Sequence, residues 1–276
     1  MRGFLRKMTN RLNDPVDYYL PLGEEEFHLN PYLGDRIQLI FHGRIRCLHC
    51  GQASKKSYGQ GFCYPCFKKL PQCDLCIVSP ERCHFEKGTC RDSVWGKEFC
   101  MQPHLVYLAN SSGVKVGITK PDQLPTRWID QGAVQAVPIF RVNSRQVSGL
   151  VETIFKQHVT DKTQWRRMLK GDNPPVDLKQ TRDDLMGRVT SELSELQDRF
   201  GLQAVQAIDT GVQDIIYPVQ QYPTKIVSMN FDKTPSIEGT LLGIKGQYLI
   251  FDCGVINLRR FTSYDVELKP ASSGLF

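Results

Sequence analysis

Nine of the ten cysteines lie between Cys47 and Cys100, and six of them form three Cys-x-x-Cys pairs: Cys47/Cys50, Cys63/Cys66 and Cys73/Cys76. Each such turn brings two thiolates within reach of one ion, and two turns complete a tetrahedron. Gly51 follows Cys50 and can take a positive φ, which lets backbone amides point at the sulfurs. The stretch between Cys50 and Cys63 is long enough for a hairpin turning near Tyr58-Gly59. The spacing predicts a zinc ribbon on Cys47, Cys50, Cys63 and Cys66. Cys73 and Cys76 need two more ligands, and Cys83 and Cys90 are the nearest thiols. A second zinc on these four is therefore expected from counting, with His84 and Cys100 as competitors. The alternatives are that Cys83, Cys90 and Cys100 are small buried apolar residues, or that an iron–sulfur cluster occupies the segment. His49 is expected to be exposed. A closed four-thiolate site stabilises a fold and lacks the open position that hydrolysis needs.

The rest of the composition narrows the setting. No apolar run approaches the ~18 residues of a membrane span. The basic start (Arg2, Arg6, Lys7, Arg11) is not followed by an apolar stretch, so a secretory signal is not expected. Together with the tight cysteine pairs, this predicts a reducing, cytoplasmic setting and metal in place of disulfides. Net charge is +6, and residues 101–175 hold ten Lys/Arg against five Asp/Glu. A positive surface there favours nucleic acid as partner; the bland alternative is a solvated basic face.

At 276 residues the chain suits two or three compact units of α+β class. Along the chain the pattern reads as an N-terminal β extension (1–46), the cysteine-rich module (47–100), an α/β unit (101–175), a connector helix (176–201) and a C-terminal β unit (202–276). Short β runs at Ile37–Phe41 and Ile45 are separated by Gly43. A single helix over 181–200 carries Leu185, Val189, Leu193, Leu196 and Phe200 on one stripe and stops at Gly201. Lys225–Ser228, Gly239–Ile244 and Tyr248–Phe251 read as strands of a small β-barrel or sandwich.

Residues 105–119 are the most informative. Two strands joined by Ser111-Ser112-Gly113 put Asn110 opposite Val114, Leu108 opposite Val116 and Val106 opposite Ile118. Val106, Leu108, Val116 and Ile118 then share one buried face, and a one-residue slip would scramble it. Tyr107, Ala109, Lys115 and Gly117 share the other, with Gly117 leaving space beside Tyr107. Helices follow at about Gln123–Gln131, bearing Arg127-Trp128, and at about Gln146–Val159, bearing Glu152 at the border of its apolar stripe.

Val106-Tyr107-Leu108, Lys115-Val116-Gly117, Arg127-Trp128 and a helical glutamate, in that order, resemble the GIY-YIG nuclease superfamily. The larger pattern, cysteine pairs followed by Lys-Val-Gly-Ile-Thr, Arg-Trp and Asp-Gln-Gly-Ala, is similar to an uncharacterised bacterial group, domain-of-unknown-function family 2797. The superfamily resemblance implies a small antiparallel sheet flanked by helices that cuts phosphodiesters with one divalent ion. It assigns Tyr107 to the nucleophile, Arg127 and Lys115 to the phosphate and Glu152 to Mg²⁺ or Mn²⁺. Two departures stand out: the first motif lacks its glycine, and Lys115 stands where catalytic members carry a second tyrosine. The expected function is thus a zinc-stabilised nucleic-acid-binding protein with metal-dependent phosphodiesterase activity. The alternatives are binding without cleavage, and a protein-interaction scaffold with purely structural zinc.

Overall fold

Alternation of buried and open positions sets most of the strands. Tyr18, Leu20 and Leu22 are buried while their neighbours are half-buried, the period-two signature of a one-faced strand. The computed structural model of the chain describes residues 1–159 and 162–270. In chain order the strands are β1 (Arg2–Phe4), β2 (Thr9–Arg11), β3 (Asp17–Leu22), β4 (Glu25–His28), β5 (Arg36–Ile45), β6 (His104–Asn110) and β7 (Val114–Thr119). Then come β8 (Gln135–Val142), β9 (Val205–Ala207), β10 (Gln213–Asp214), β11 (Ser236–Lys245), β12 (Tyr248–Phe251), β13 (Gly254–Asn257) and β14 (Tyr264–Pro270).

The contacts divide the chain into two units, and the division crosses the linear segments drawn above. One unit joins Met1–Phe67 and Leu169–Gly171 to the chain from Ile215 on; the other comprises Lys68–Met168 and Asp172–Asp214. In the first, six strands make a sheet in the order β1-β14-β5-β11-β12-β13, beside a three-stranded sheet β2-β3-β4. Of the expected C-terminal barrel or sandwich, the barrel is corrected here: among the described residues no barrel closes, and β1 and β13 are edges. The C-terminal run supplies only part of the sheet, and β5 from the N-terminal segment takes the place between β14 and β11. Lys225–Ser228 forms only an isolated parallel bridge, Ser228 to Val255, and none of its residues is fully buried. β5 runs through Gly43 at φ 73°, and its register against β14 shifts between Tyr264 and Val266. Phe41, Phe231, Phe261 and Tyr264 stack into its core, with Phe231 and Phe261 edge to face at 4.9 Å.

The second unit has the sheet order β10-β8-β6-β7, with β9 also pairing β8. The hairpin register matches the sequence reading: Val106 faces Ile118, Tyr107 Gly117, Leu108 Val116, Ala109 Lys115 and Asn110 Val114. Val106, Leu108, Val116 and Ile118 join one core with Val147, Val151 and Phe155 of the helix Arg145–Phe155. Fully burying each such side chain stabilises by roughly 1.5–3 kcal/mol. Ser144 caps that helix by accepting from the Val147 amide at 3.3 Å. The expected 181–200 helix is two helices, Leu178–Arg188 and Thr190–Phe200, broken at Val189, whose ψ of 11° leaves the helical basin. Leu185, Val189, Leu193 and Leu196 are nonetheless buried as one stripe, and Gly201 at φ 96° ends it. Among the described residues no helix is long and apolar enough to cross a membrane.

Candidate functional site

The ribbon is assembled from short local turns. A bridge between Arg46 and Ala53 closes the first cysteine turn, and Gly51 at φ 69° donates its amide to the Cys47 carbonyl at 2.9 Å. A second bridge, Tyr58 to Phe62, makes the expected hairpin, and the helix Tyr64–Lys69 starts directly after Cys63. The sulfurs of Cys47, Cys50, Cys63 and Cys66 lie within 4.8 Å of one another. Burial pushes the Cys47 thiol up, but backbone amides of Cys50, Cys63 and His49 outweigh it and bring it to about 6. Burial and the three neighbouring thiols push Cys66 up. Four converging sulfur donors with amides aimed at one of them fit a closed tetrahedral zinc site. A zinc ion held there would keep this stretch folded. His49 is exposed, as expected.

Of the other expected residues, Tyr107, Arg127 and Glu152 come together. Tyr107 stands on the central strand, and its ring crosses directly over Gly117. A Cβ on Gly117 would lie 2.6 Å from the ring, so the space that glycine leaves is filled by the tyrosine itself. The Tyr107 hydroxyl donates to Gln131 Oε1 at 3.0 Å, and Trp128 meets the ring edge to face at 6.1 Å. Burial pushes the Tyr107 hydroxyl up; the Arg127 guanidinium, within hydrogen-bonding reach, pulls the other way, and the Glu152 charge adds to the rise. Arg127 comes from the helix Thr126–Asp130 and Glu152 from Arg145–Phe155, so two helices deliver opposite charges to one strand face. Glu152 Oε2 also pairs with Lys156 Nζ at 3.2 Å.

Lys115 sits differently. It is buried on the same strand face as Tyr107, and its Nζ donates to Thr163 Oγ1 at 2.9 Å. Of two carboxylates near the motif in sequence, Asp172 pairs with Arg167 at 2.9 Å and Asp161 lies outside the described residues.

The later cysteines regroup. Ligand atoms of Asp74, Cys76 and His84 lie within 4.8 Å of one another, and a cavity of about 10 Å³ beside them is also lined by Cys83, Cys90 and Cys100. Cys73, expected as a ligand, is not among the residues around that cavity. Gln131, Arg145 and Asp74 were not singled out from the sequence. Gln131 follows Arg127 by one helical turn, which was a usable signal; the other two depend on tertiary placement.

No curated protein and no solved structure matches the chain. The profile of one family, described as "Protein of unknown function (DUF2797)", matches residues 34–266, and the chain belongs to that family.

Proposed function

We propose that the chain is a zinc-stabilised nucleic-acid-binding protein whose second unit is a GIY-YIG-like phosphodiesterase working with one divalent ion. The observation that carries this reading is that Tyr107, on the central strand, has its hydroxyl held by Gln131 at the end of the helix bearing Arg127 and feels the charges of both Arg127 and Glu152. A cation, a carboxylate and a hydroxyl within reach of one another are the combination that a phosphodiester needs. The order of elements, a hairpin, a helix, a third strand beside the first, then the glutamate helix, also supports it.

Glu152 would hold Mg²⁺ or Mn²⁺, an ion that stabilises the leaving oxygen when bound; one carboxylate suffices where water and substrate oxygens complete the shell. Arg127 meets the charge that builds on phosphorus. Tyr107, protonated at neutral pH because burial raises it, would orient the attacking water, whose proton passes to bulk water. The excess of Lys/Arg over residues 101–175 draws the polyanion in.

Binding without cleavage is the second reading, and two observations favour it: Tyr107 is wholly enclosed, and the Lys115 ammonium is engaged by Thr163. A panel of DNA and RNA substrates with Mg²⁺ or Mn²⁺, run beside Glu152→Ala and Arg127→Ala, separates the two. Cleavage is expected to drop by at least about 100-fold in either variant. Cleavage that persists in Glu152→Ala removes the reading. Salt-sensitive binding with no cleavage leaves the second, and no binding at ~50 mM salt leaves only a protein-interaction scaffold.

A further inference from the structure

We propose that Cys76, Cys83, Cys90 and Cys100 hold a second structural metal ion, zinc, with Asp74 and His84 bracing its rim. All four thiols line one partly open cavity of about 10 Å³, room for about one small atom and too little for an organic ligand. Charge interactions couple Cys76 with Cys83 and Cys100, and Cys100 with Cys83 and Cys90, and the ligand atoms already within 4.8 Å of one another are those of Asp74, Cys76 and His84. Cys73, the sequence partner of Cys76, is left outside. It belongs to the turn Pro71–Cys73, whereas Cys76 lies in the next helix, Leu75–Val78.

The rim is built around Asp74. Its carboxylate accepts from the Cys76 amide at 3.3 Å and pairs with Arg91 at 2.6 Å and with His84 Nε2 at 3.5 Å. The other nitrogen of His84, Nδ1, meets Thr89 Oγ1 at 2.8 Å, which fixes the ring. Gly96 admits Cys90 to the cavity: a Cβ there would lie 3.0 Å from the Cys90 sulfur.

A buried cation supplies an independent argument. Arg145 donates one guanidinium nitrogen to the Ile77 carbonyl at 2.6 Å, yet its buried Nε meets no hydrogen-bond acceptor. The groups beside it able to carry negative charge are Cys100, Cys76 and Glu152, against the like charge of Arg127. Four thiolates on one divalent ion carry a net charge of about −2, which a neighbouring guanidinium offsets. Neutral thiols in the same cavity would leave Arg145 with far less compensation. The segment from Pro71 to Cys100 also has only short helices and turns of its own, the situation in which small modules depend on a metal.

This site also holds the helix that bears Glu152. The Arg145 amide donates to the Cys100 carbonyl at 2.8 Å, and the Gln146 side chain to the Cys83 carbonyl at 3.3 Å. Gly149 packs so tightly that a Cβ would lie 2.6 Å from the Glu81 amide. The metal would thus set where Glu152 stands, a consequence that rests on the phosphodiesterase reading; the metal site itself does not.

Elemental analysis and native mass spectrometry of the full chain test the proposal. Wild type is expected to carry about two zinc ions per chain, Cys100→Ser about one, and Cys73→Ser about two. Because Cys100→Ser alone could fail to fold, the wild-type protein is also alkylated natively with iodoacetamide. Cys76, Cys83, Cys90 and Cys100 should resist until a zinc chelator is added, while the exposed Cys253 reacts at once. One zinc per wild-type chain, iron with sulfide, or protection of Cys73 in place of Cys100 would overturn the assignment. Absence of nuclease activity would bear on none of these readouts.

Discussion

The two cysteine clusters differ in how their ligands are brought together. In the ribbon each pair of thiols sits inside one turn, so residue spacing alone fixes the geometry, and Cys47, Cys50, Cys63 and Cys66 could be named in advance. Between Pro71 and Cys100 only one such pair exists, and its two members are placed differently: Cys76 lines the cavity and Cys73 does not. There the grouping is decided by how short helices and turns pack: Asp74 caps the helix of Cys76, while His84 and Cys100 enter from separate places. Chemistry confined to one turn is legible in sequence; chemistry assembled by packing is not.

The largest effect expected from this contrast is at the ribbon. A structural site's binding free energy is folding free energy, on the order of 10 kcal/mol or more, which exceeds the stability of most domains. Cys63→Ser should therefore yield little soluble protein, and what remains should lose zinc and melt without a cooperative transition by circular dichroism. A soluble variant with a melting curve close to wild type would show that the turns hold without the ion, and the contrast would lose its physical basis.

The same distinction explains what else the sequence disclosed. The register of the hairpin was readable because the short loop and one apolar face leave a single alignment. The meeting of Tyr107, Arg127 and Glu152 was only an ordered motif until the helices placed it. That Gly117 makes room for the Tyr107 ring itself, and that Thr163 engages Lys115, follow from contacts across the fold. The barrel expectation failed for a related reason: pairing of β5 with β11 and β14 links residues about 200 positions apart, which no local pattern encodes.

A mid-sized test comes from His104, whose environment is wholly assembled. It looks like an ordinary strand residue in sequence, yet it is fully buried, with Nδ1 donating to the Gln102 carbonyl at 2.8 Å and Nε2 meeting no hydrogen-bond partner. Burial, and after it the charges of Arg145 and Lys120, push it down from 6.5 to about 4. A lowered folded pKa means the unfolded chain takes up the proton first as pH falls. The stability is complete above pH 6.5 and is lost progressively down to about 4, by about 3 kcal/mol in total. Urea unfolding across that window should fall more steeply for wild type than for His104→Gln, which cannot titrate. The lost Gln102 hydrogen bond shifts the variant's curve at every pH but not its slope. Parallel curves would mean that packing leaves His104 as its sequence suggests.

The smallest effect belongs to a contact that sequence spacing does encode, Lys156 one helical turn after Glu152. Their 3.2 Å pair lies at the helix end with 33% and 13% of the side chains exposed, where solvent screens the charges. Lys156→Ala should therefore cost only ~0.3–0.5 kcal/mol, close to the limit of denaturant titration. Its effect on Glu152 is the sharper readout. An ammonium within ion-pair distance competes with a divalent cation for the same carboxylate oxygens, so its removal should tighten Mn²⁺ binding several-fold, followed by paramagnetic resonance of free Mn²⁺. Glu152→Ala serves as the control and should show no such binding. Tighter Mn²⁺ binding with little change in stability would mark Glu152 as a site residue that the local pair only tempers. A cost above ~1.5 kcal/mol with unchanged Mn²⁺ binding would mark it as a structural partner of Lys156, and the convergence with Tyr107 and Arg127 would then serve packing alone.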